Sequence, residues 1–334
     1  MATIRDVARC AGVSVATVSR VINQSGYVNK DTEARVNHAI QMLHYEPNPV
    51  ARGLASRKTG TIAVILPDIM NPFFSELARA VEDTALVHKF AVIFCNSDDQ
   101  GSKERSYIQV LRQRYIDGII FASNSLEEED IQLMKDHNIP LVVMDRAPSK
   151  GNCSIIRSKN AQGARLAVNH LLQVGCRKIA HIAGPDELIT AQKRRQGYLD
   201  IVGELDWFDP TLVVPGHFSI TGGIGAAQAL MEYHPDIDGI FAGNDLMAVG
   251  ALKALNRMGV SVPSQVALCG FDGVALSEMV EPELTTVAQP IYEMGAKAAF
   301  HLINQIKGIQ EEQTIIEMDI RLIQRDSTKR SRKR

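Results

Sequence analysis

The sequence predicts an α/β protein in which an N-terminal all-α head, a helix-turn-helix, precedes a two-lobed body with parallel sheets. Helical periodicity with cap residues fills the first 46 residues, and short apolar runs alternate with amphipathic segments from residue 61. The alternation restarts near residue 178. We therefore predict a helix-turn-helix domain at 1–46, a hinge helix and linker at 47–60, a two-lobed α/β body at 61–324 and a basic disordered tail at 325–334.

The formal net charge of −2 hides a segregation of charge along the chain. Residues 1–60 carry eight Lys and Arg against four acidic residues, and 325–334 carry six against one. Because the rest is net acidic, we expect a polyanion such as DNA to meet the head, with the tail adding non-specific attraction. No apolar run is long enough to cross a bilayer and the N-terminus lacks a signal core, so we expect a cytoplasmic, nucleoid-associated protein with no membrane partner.

Three short helices are predicted in the head from their cap residues. Thr3 and Asp6 have the spacing of a capping box before the first helix, while Ser14 and Asn29 can cap the second and third. Gly12 lies in the short turn between the first two helices. Two helices joined in this way form a helix-turn-helix, in which the second helix enters the major groove of DNA.

The exposed face of the predicted second helix carries side chains suited to DNA. Arg20 can donate two hydrogen bonds to guanine, and Val15 and Ala16 can contact a thymine methyl group. Hydroxyl groups nearby suit phosphate contacts. The predicted DNA contacts in the head are Thr3, Ser14, Val15, Ala16, Thr17, Ser19, Arg20 and Asn23. A small three-helix domain without a DNA partner is the alternative on spacing alone.

The segment 47–60 follows the head and contains about two potential helical turns, too few to be stable in isolation. We predict that it folds only when a partner holds it. Leu54 is a candidate apolar wedge for the minor groove, with Arg52 on a nearby phosphate and Ala55 in the same contact set. A plain interdomain linker is the alternative.

Eight apolar runs in the body predict parallel strands that are covered on both faces. They are 62–66, 91–94, 118–121, 141–144, 178–183, 212–214, 239–242 and 266–269. Ligands of such sheets bind beyond the carboxyl ends of the strands, so we expect a site between the two lobes.

Polar and aromatic side chains collect where the predicted strands end. They are Asn71, Phe73, Phe74, Asp145, Arg146, Arg194, Phe218, Asn244, Asp272 and Gln289. Aromatic rings stack on the apolar faces of a sugar ring, and carboxylate, amide and guanidinium groups bond to vicinal hydroxyls. A small sugar is the expected ligand of the set. Each residue taken alone has the alternative of a helix cap or a core position.

The head and hinge resemble the lactose-repressor family in four short segments. The segments are Thr-Ile-Arg-Asp-Val-Ala at 3–8, Ala-Gly-Val-Ser at 11–14, Thr-Val-Ser-Arg-Val-Ile-Asn at 17–23 and Val-Ala-Arg-Gly-Leu at 50–54. The resemblance implies a homodimer that binds a pseudo-palindromic operator with Leu54 of both chains at its centre. It also implies that 61–324 is an effector-binding and dimerisation domain with a periplasmic-binding-protein-like fold. Lobe 1 is then at about 61–160 and 290–324, and lobe 2 at about 161–289.

As a set, the strand-end residues are similar to the contact residues of ribose-binding proteins, which implies ribose as the effector. Purine-responsive members of the family carry Trp after the strand-four Asp, where this chain has Arg146, and that difference favours a pentose. Another pentose, a hexose or a purine remains an alternative. We expect a repressor of a sugar-utilisation operon that ribose releases from DNA, with no catalytic residues, cofactor or metal. A sugar-modifying enzyme on the same scaffold is the alternative class.

Overall fold

The computed structural model describes residues 2–23, 25–45, 59–123, 126–145, 153–309 and 314–330. They belong to two compact units, Met1–Gly60 and Thr61–Arg334. The predicted DNA contacts Arg52, Leu54 and Ala55, and the predicted ligand contact Arg146, lie outside the described residues.

The predicted caps of the head are all present. Thr3 and Asp6 form a reciprocal capping box, in which the Thr3 N–H donates to the Asp6 carboxylate at 3.0 Å. The Ser14 hydroxyl accepts from the Thr17 N–H at 3.1 Å, and the Asn29 side chain caps the third helix. The helices are α1 (Ile4–Ala11), α2 (Val15–Asn23) and α3 (Lys30–Met42). Their boundaries follow from these caps and from the left-handed Gly12 that ends α1.

One valine from each helix builds the centre of the head. Val7, Val18 and Val36 are fully buried, and Val21 and Ile22 pack against them as predicted. The opposite face of α2 therefore stays exposed.

The body contains two separate sheets of six strands each among the described residues. The strands are β1 (Thr61–Leu66), β2 (Ala91–Asn96), β3 (Gly118–Phe121), β4 (Leu141–Met144), β5 (Ser154–Ser158), β6 (Ile179–Ala183), β7 (Val213–Pro215), β8 (Gly239–Ala242), β9 (Ala267–Asp272), β10 (Thr285–Ala288), β11 (Ile315–Met318) and β12 (Arg321–Ile323). The first sheet has the order β11-β5-β4-β3-β1-β2 and is parallel throughout. The second has the order β12-β10-β9-β8-β6-β7, with only β12 antiparallel to its neighbour.

Helices cover both faces of each sheet. They are α4 (Pro72–Val87), α5 (Gly101–Gln113), α6 (Glu128–Asp136), α7 (Asn160–Gln173), α8 (Ile189–Val202), α9 (Ile220–Tyr233), α10 (Asp245–Arg257), α11 (Leu276–Met279) and α12 (Ile291–Ile306). Along β1, Val64 packs toward α4 and α12, whereas its neighbour Ile65 packs toward α5 and α6. Strands covered on both faces need apolar residues at every position, which explains the continuous apolar runs of the central strands. The predicted covering is wrong for the edge strands β2 and β7, in which only Cys95 is buried. No described helix is both long and apolar enough to span a membrane.

Two predicted boundaries in the C-terminal part are wrong. Lobe 1 does not extend to 324, because β12 pairs with β10 of the second sheet and the chain thus crosses between the lobes a third time at 319–320. The tail 325–334 is not disordered over its first six residues. Ser327 is fully buried and donates to the Leu268 carbonyl at 2.6 Å, and Arg330 donates to the Pro263 carbonyl at 3.0 Å. Residues 331–334 lie outside the described residues.

The contact between α9 and α10 depends on glycine. A Cβ at Gly250 would lie 2.1 Å from the Ile220 carbonyl oxygen, so the two helix backbones could not keep their separation. We expect Gly250→Ala to lower the free energy of unfolding by about 2 kcal/mol, measured by urea denaturation, because such overpacking displaces backbone. Gly225→Ala is the matched control on α9, since a Cβ there meets nothing within 4 Å. Equal losses in both variants would contradict this packing.

Candidate functional site

A cavity with about 270 Å³ of empty space, part of it open to solvent, lies where the carboxyl ends of the two sheets face each other. Its wall is built from strand ends and helix beginnings of both lobes. The lining residues are Asn71, Phe73, Phe74, Asp145, Thr190, Arg194, Phe218, Asn244 and Asp272. The strand-end positions singled out in the sequence therefore converge on one small, largely polar space.

Eight of the ten predicted ligand residues belong to this wall. Arg146 lies outside the described residues, and Gln289 stands behind the wall, where its Nε2 donates to the Asp272 carboxylate at 2.8 Å. Thr190 is a wall residue that the sequence reasoning missed. It lies one helical turn before Arg194 on α8, and that spacing was the available signal.

Aromatic rings form the apolar part of the wall on both lobes. Phe73 and Phe74 at the start of α4 meet edge to face, with ring centroids 5.0 Å apart. Phe218, before α9, comes from the other lobe and has a left-handed backbone, with φ of 50°. Gly184 leaves room for its ring, because a Cβ there would lie 2.3 Å from a ring atom. The aromatic groups are thus held in fixed orientations.

Arg194 supplies a positive charge to the wall, and hydrogen bonds, an ion pair and an aromatic ring fix its guanidinium group. Its Nε donates to the Asn160 side chain at 2.8 Å, and its Nη1 donates to the Gly243 carbonyl at 2.6 Å. The same Nη1 lies 3.1 Å from the Asp272 carboxylate. The guanidinium carbon is 3.9 Å from the centroid of the Phe271 ring. This arrangement leaves Nη2 for a ligand and fixes the plane in which it would donate.

Asp272 supplies a buried carboxylate opposite Arg194. Burial raises the pKa of Asp272 to about 6, with the charge of Asp145 adding to the shift and Arg194 opposing it. Its backbone has φ of 112°, a conformation that non-glycine residues seldom adopt. The following turn is held by Asp245, which accepts from the N–H groups of Gly273 at 2.8 Å and Val274 at 3.0 Å. Strained backbone fixed in this way is characteristic of binding sites.

The two asparagines of the wall also serve as helix caps. The Oδ1 atom of Asn71 accepts from the Phe73 N–H at 3.1 Å, and that of Asn244 accepts from the Met247 N–H at 2.9 Å. Their carbonyl oxygens are therefore engaged. The Nδ2 group of Asn244 also donates to the Phe218 carbonyl at 3.4 Å, which leaves its second N–H as a donor. Of the two alternatives raised by the sequence, the structure confirms the cap, and a ligand contact at these wall positions stays a prediction.

The predicted DNA-contacting face of the head is open to solvent. Val15 is 41% exposed, and Ala16 and Arg20 are exposed as well. Ser19 accepts from the Asn23 side chain at 3.2 Å. The face thus combines one long cation with small apolar groups, as major-groove readout requires.

Comparison with known proteins identifies the family. Residues 3–48 match the model of the bacterial regulatory proteins of the lacI family, and residues 59–326 match that of the periplasmic binding proteins and sugar-binding domain of the LacI family. The chain belongs to the LacI family. It is a DNA-binding, sugar-responsive regulator with the predicted division into a helical head and a two-lobed α/β body.

Relatives of this LacI-family chain include two ribose operon repressors. The one from Halalkalibacterium halodurans is 45% identical over 329 residues, and the alignment covers 98% of each chain. The one from Bacillus subtilis is 38% identical, with 99% of each chain covered. Among solved structures, the lac repressor dimer bound to operator is 25% identical with a TM-score of 0.85, covering 98% of this chain and 99% of that one. A ribose-bound LacI-family regulator from Enterococcus faecium is 32% identical with a TM-score of 0.73, covering 80% and 98% respectively.

Proposed function

We propose that this LacI-family protein represses a ribose-utilisation operon and that ribose in the cavity releases it from its operator. One observation carries the proposal: a small cavity pairs aromatic rings from both lobes with the buried Arg194 and Asp272. The names of the two relatives above and the ribose-bound structure support the choice of sugar.

The wall fits a single sugar ring. Phe73, Phe74 and Phe218 offer apolar surfaces for the C–H faces of the ring, and the charged pair accepts and donates hydrogen bonds at its edge. The space between the rings and the charged pair is small, which favours a monosaccharide over a disaccharide. A related regulator has been solved with D-xylulofuranose, so another pentose is the second candidate.

A thermal-shift screen of pentoses, hexoses and purines tests the choice of effector. A ligand that binds only the folded protein raises its melting temperature in proportion to the logarithm of concentration over Kd. We expect ribose to give the largest shift, and a larger shift with a purine or a hexose would contradict the assignment. The sugar should be recovered unchanged, because a regulator has to release its ligand rather than transform it.

The head is proposed to read operator half-sites in the DNA of the cytoplasm. Arg20, Val15 and Ala16 would contact base edges. The hydroxyls of Ser14, Thr17 and Ser19 would contact phosphates. The segment around Leu54, which lies outside the described residues, would fold on the DNA and connect the head to lobe 1.

A homodimer is proposed as the active assembly. Strand β2 is an edge of the first sheet, and its side chains Ile93 and Phe94 are 36% and 43% exposed. Leu86 and Val87 at the end of the adjacent α4 are 65% and 79% exposed. Native proteins seldom leave an edge strand with exposed apolar side chains uncovered. We therefore expect a second copy of the chain to cover this surface. Two heads on one dimer would then match a two-fold symmetric operator.

Ribose binding should weaken at acidic pH. In the unliganded protein the pKa of Asp272 is about 6, and the protonated acid loses acceptor capacity for sugar hydroxyls. Affinity is therefore complete above this pKa and is lost as pH falls through it, so calorimetry should find binding about tenfold weaker at pH 5 than at pH 7.5. Asp272→Asn should bind weakly at both values. A pH-dependent loss that persists in this variant would assign the titration to another group.

A further inference from the structure

The chain crosses between the lobes at three places, and the first two meet beside the cavity. The first crossing runs from the end of β5 at Ser158 to the start of α7 at Asn160, and the second passes through Gln289 between β10 and α12. Closure of two lobes around a ligand bends the chain at such element ends. The side chains at these crossings therefore determine how the lobes respond to the ligand.

Five residues form a closed ring of polar contacts at this point, in which four links join side chains and the fifth ends on the Ser158 backbone carbonyl. Ser158 Oγ donates to the Gln289 Oε1 atom, and Gln289 Nε2 donates to the Asp272 carboxylate. Asp272 pairs with Arg194, whose Nε donates to Asn160 Oδ1, and Asn160 Nδ2 donates back to the Ser158 carbonyl at 3.2 Å. None of the five is more than 6% exposed.

The ring joins the cavity wall to the crossings. Arg194 and Asp272 belong to the wall, whereas Ser158 and Asn160 are absent from the wall defined by the described residues. Leaving one buried polar group without a partner would cost about 1–3 kcal/mol, so the members of the ring move together or not at all. A sugar that fixes Arg194 and Asp272 on one side of the ring thereby fixes the two crossings on the other.

The third crossing is joined to the first outside the ring, by a backbone hydrogen bond from the Lys159 N–H to the Met318 carbonyl at 3.3 Å and by an ion pair. Lys159 Nζ lies 2.6 Å from the Asp319 carboxylate, but these side chains are 36% and 88% exposed. Solvent-exposed ion pairs contribute little to stability and less to a defined geometry. The buried ring, not this pair, is the element able to transmit a change at the cavity.

We propose that Ser158 and Asn160 are positioning residues that couple ribose occupancy to the angle between the lobes, and through it to operator affinity. This inference rests on the proposed function. Neither residue belongs to the cavity wall defined by the described residues. Their loss should therefore reduce the effect of ribose on DNA binding more than it reduces ribose binding itself.

The test compares operator Kd without ribose and with saturating ribose in the full-length dimer. We expect Ser158→Ala and Asn160→Ala each to reduce the ratio of the two Kd values by about fivefold. The operator Kd without ribose should stay within about twofold of the wild-type value. Without bound sugar there is no change at the cavity for the ring to transmit to the lobes. Saturation is checked by calorimetry, and melting temperatures establish that each variant is folded.

Ser154→Ala is the matched control. Ser154 lies four residues earlier on β5, is equally buried at 1% exposed, and its hydroxyl accepts from Gln305 in lobe 1 at 2.9 Å. Its removal should leave the ratio unchanged. The double variant Ser158→Ala/Asn160→Ala should lose no more than the more affected single variant, because both substitutions open the same ring.

The outcomes separate the two proposals. If the operator Kd of the wild-type protein is the same with and without ribose, both the proposed function and the coupling are overturned. A responsive wild type with unchanged ratios in the Ser158 and Asn160 variants overturns the coupling alone. The coupling is likewise overturned if Ser154→Ala reduces the ratio as much, if the two losses add, or if either variant no longer binds ribose.

Discussion

Arg194→Ala should weaken ribose binding by about 100-fold or more, as measured by calorimetry at pH 7.5. The substitution removes a guanidinium group from the cavity wall and leaves the buried Asp272 carboxylate without its cation. Hydrogen bonds from charged groups contribute about 1.5–3 kcal/mol each, and breaking a buried ion pair costs about 3–5 kcal/mol. The melting temperature should fall as well, whereas operator binding without sugar should be preserved in the folded protein.

Arg195→Ala is the control for this loss. Arg195 follows in sequence, carries the same charge and pairs with Asp186 at 3.1 Å on the surface, where its side chain is 44% exposed. Ribose affinity should not change in this variant. Arg194→Lys keeps a cation beside Asp272 but lacks the planar fork, and it should recover stability without recovering full affinity. Wild-type ribose affinity in Arg194→Ala would show that the cavity is not the sugar site.

Arg20→Ala should lower operator affinity of the dimer by about 100-fold or more, measured by fluorescence anisotropy at fixed salt. A bidentate bond from arginine to guanine contributes about 1–3 kcal/mol of discrimination, and a dimer loses it in both half-sites. Binding to non-specific DNA should change far less, because it depends mainly on the number of phosphate charges neutralised. Ribose affinity should stay at the wild-type value.

Arg35→Ala is the charge-matched control in the head. Arg35 is an exposed residue of α3, outside the predicted DNA-contacting set, and its Nη2 donates to the Thr32 hydroxyl at 3.4 Å. Its removal lowers the charge of the head equally and should reduce specific and non-specific binding alike, by a small factor. Equal loss of specificity in both variants would indicate that α2 does not read the bases.

Much of the fold could be predicted because parallel strands covered on both faces have a strong local signal. The runs 118–121, 141–144 and 239–242 form strands with those same bounds. Strands β5 and β10 were not predicted, because they contain Ser, Arg and Thr whose burial depends on distant partners. The Thr285 hydroxyl, for example, donates to the Arg325 carbonyl, 40 residues away in sequence.

Dependence on distant partners also explains why the tail 325–334 was wrongly predicted to be disordered from its first residue. A segment rich in basic and hydroxyl residues predicts a solvated chain, but Arg330 donates to carbonyls of Pro263, Gln265 and Asp238. These acceptors converge only once the second sheet has formed. The composition of the tail alone therefore cannot predict these hydrogen bonds.

The wall of the cavity was predictable to the extent that it follows strand ends. Asp145, Asn244 and Asp272 lie where β4, β8 and β9 finish, and the rule that ligands bind there places them together. Thr190 lies within a helix and escaped this rule. Ser158 and Asn160 gain significance only from the topology, because a crossing between lobes cannot be located from periodicity.

Operator selection followed by sugar release tests the central claim most directly. The full-length protein is used to enrich duplexes from a random-sequence library, and operator Kd is then measured with and without ribose. We expect a pseudo-palindromic sequence to be enriched and its Kd to rise by at least about tenfold when ribose saturates the protein. Failure to retain any duplex, or tighter binding in the presence of ribose, would contradict the account.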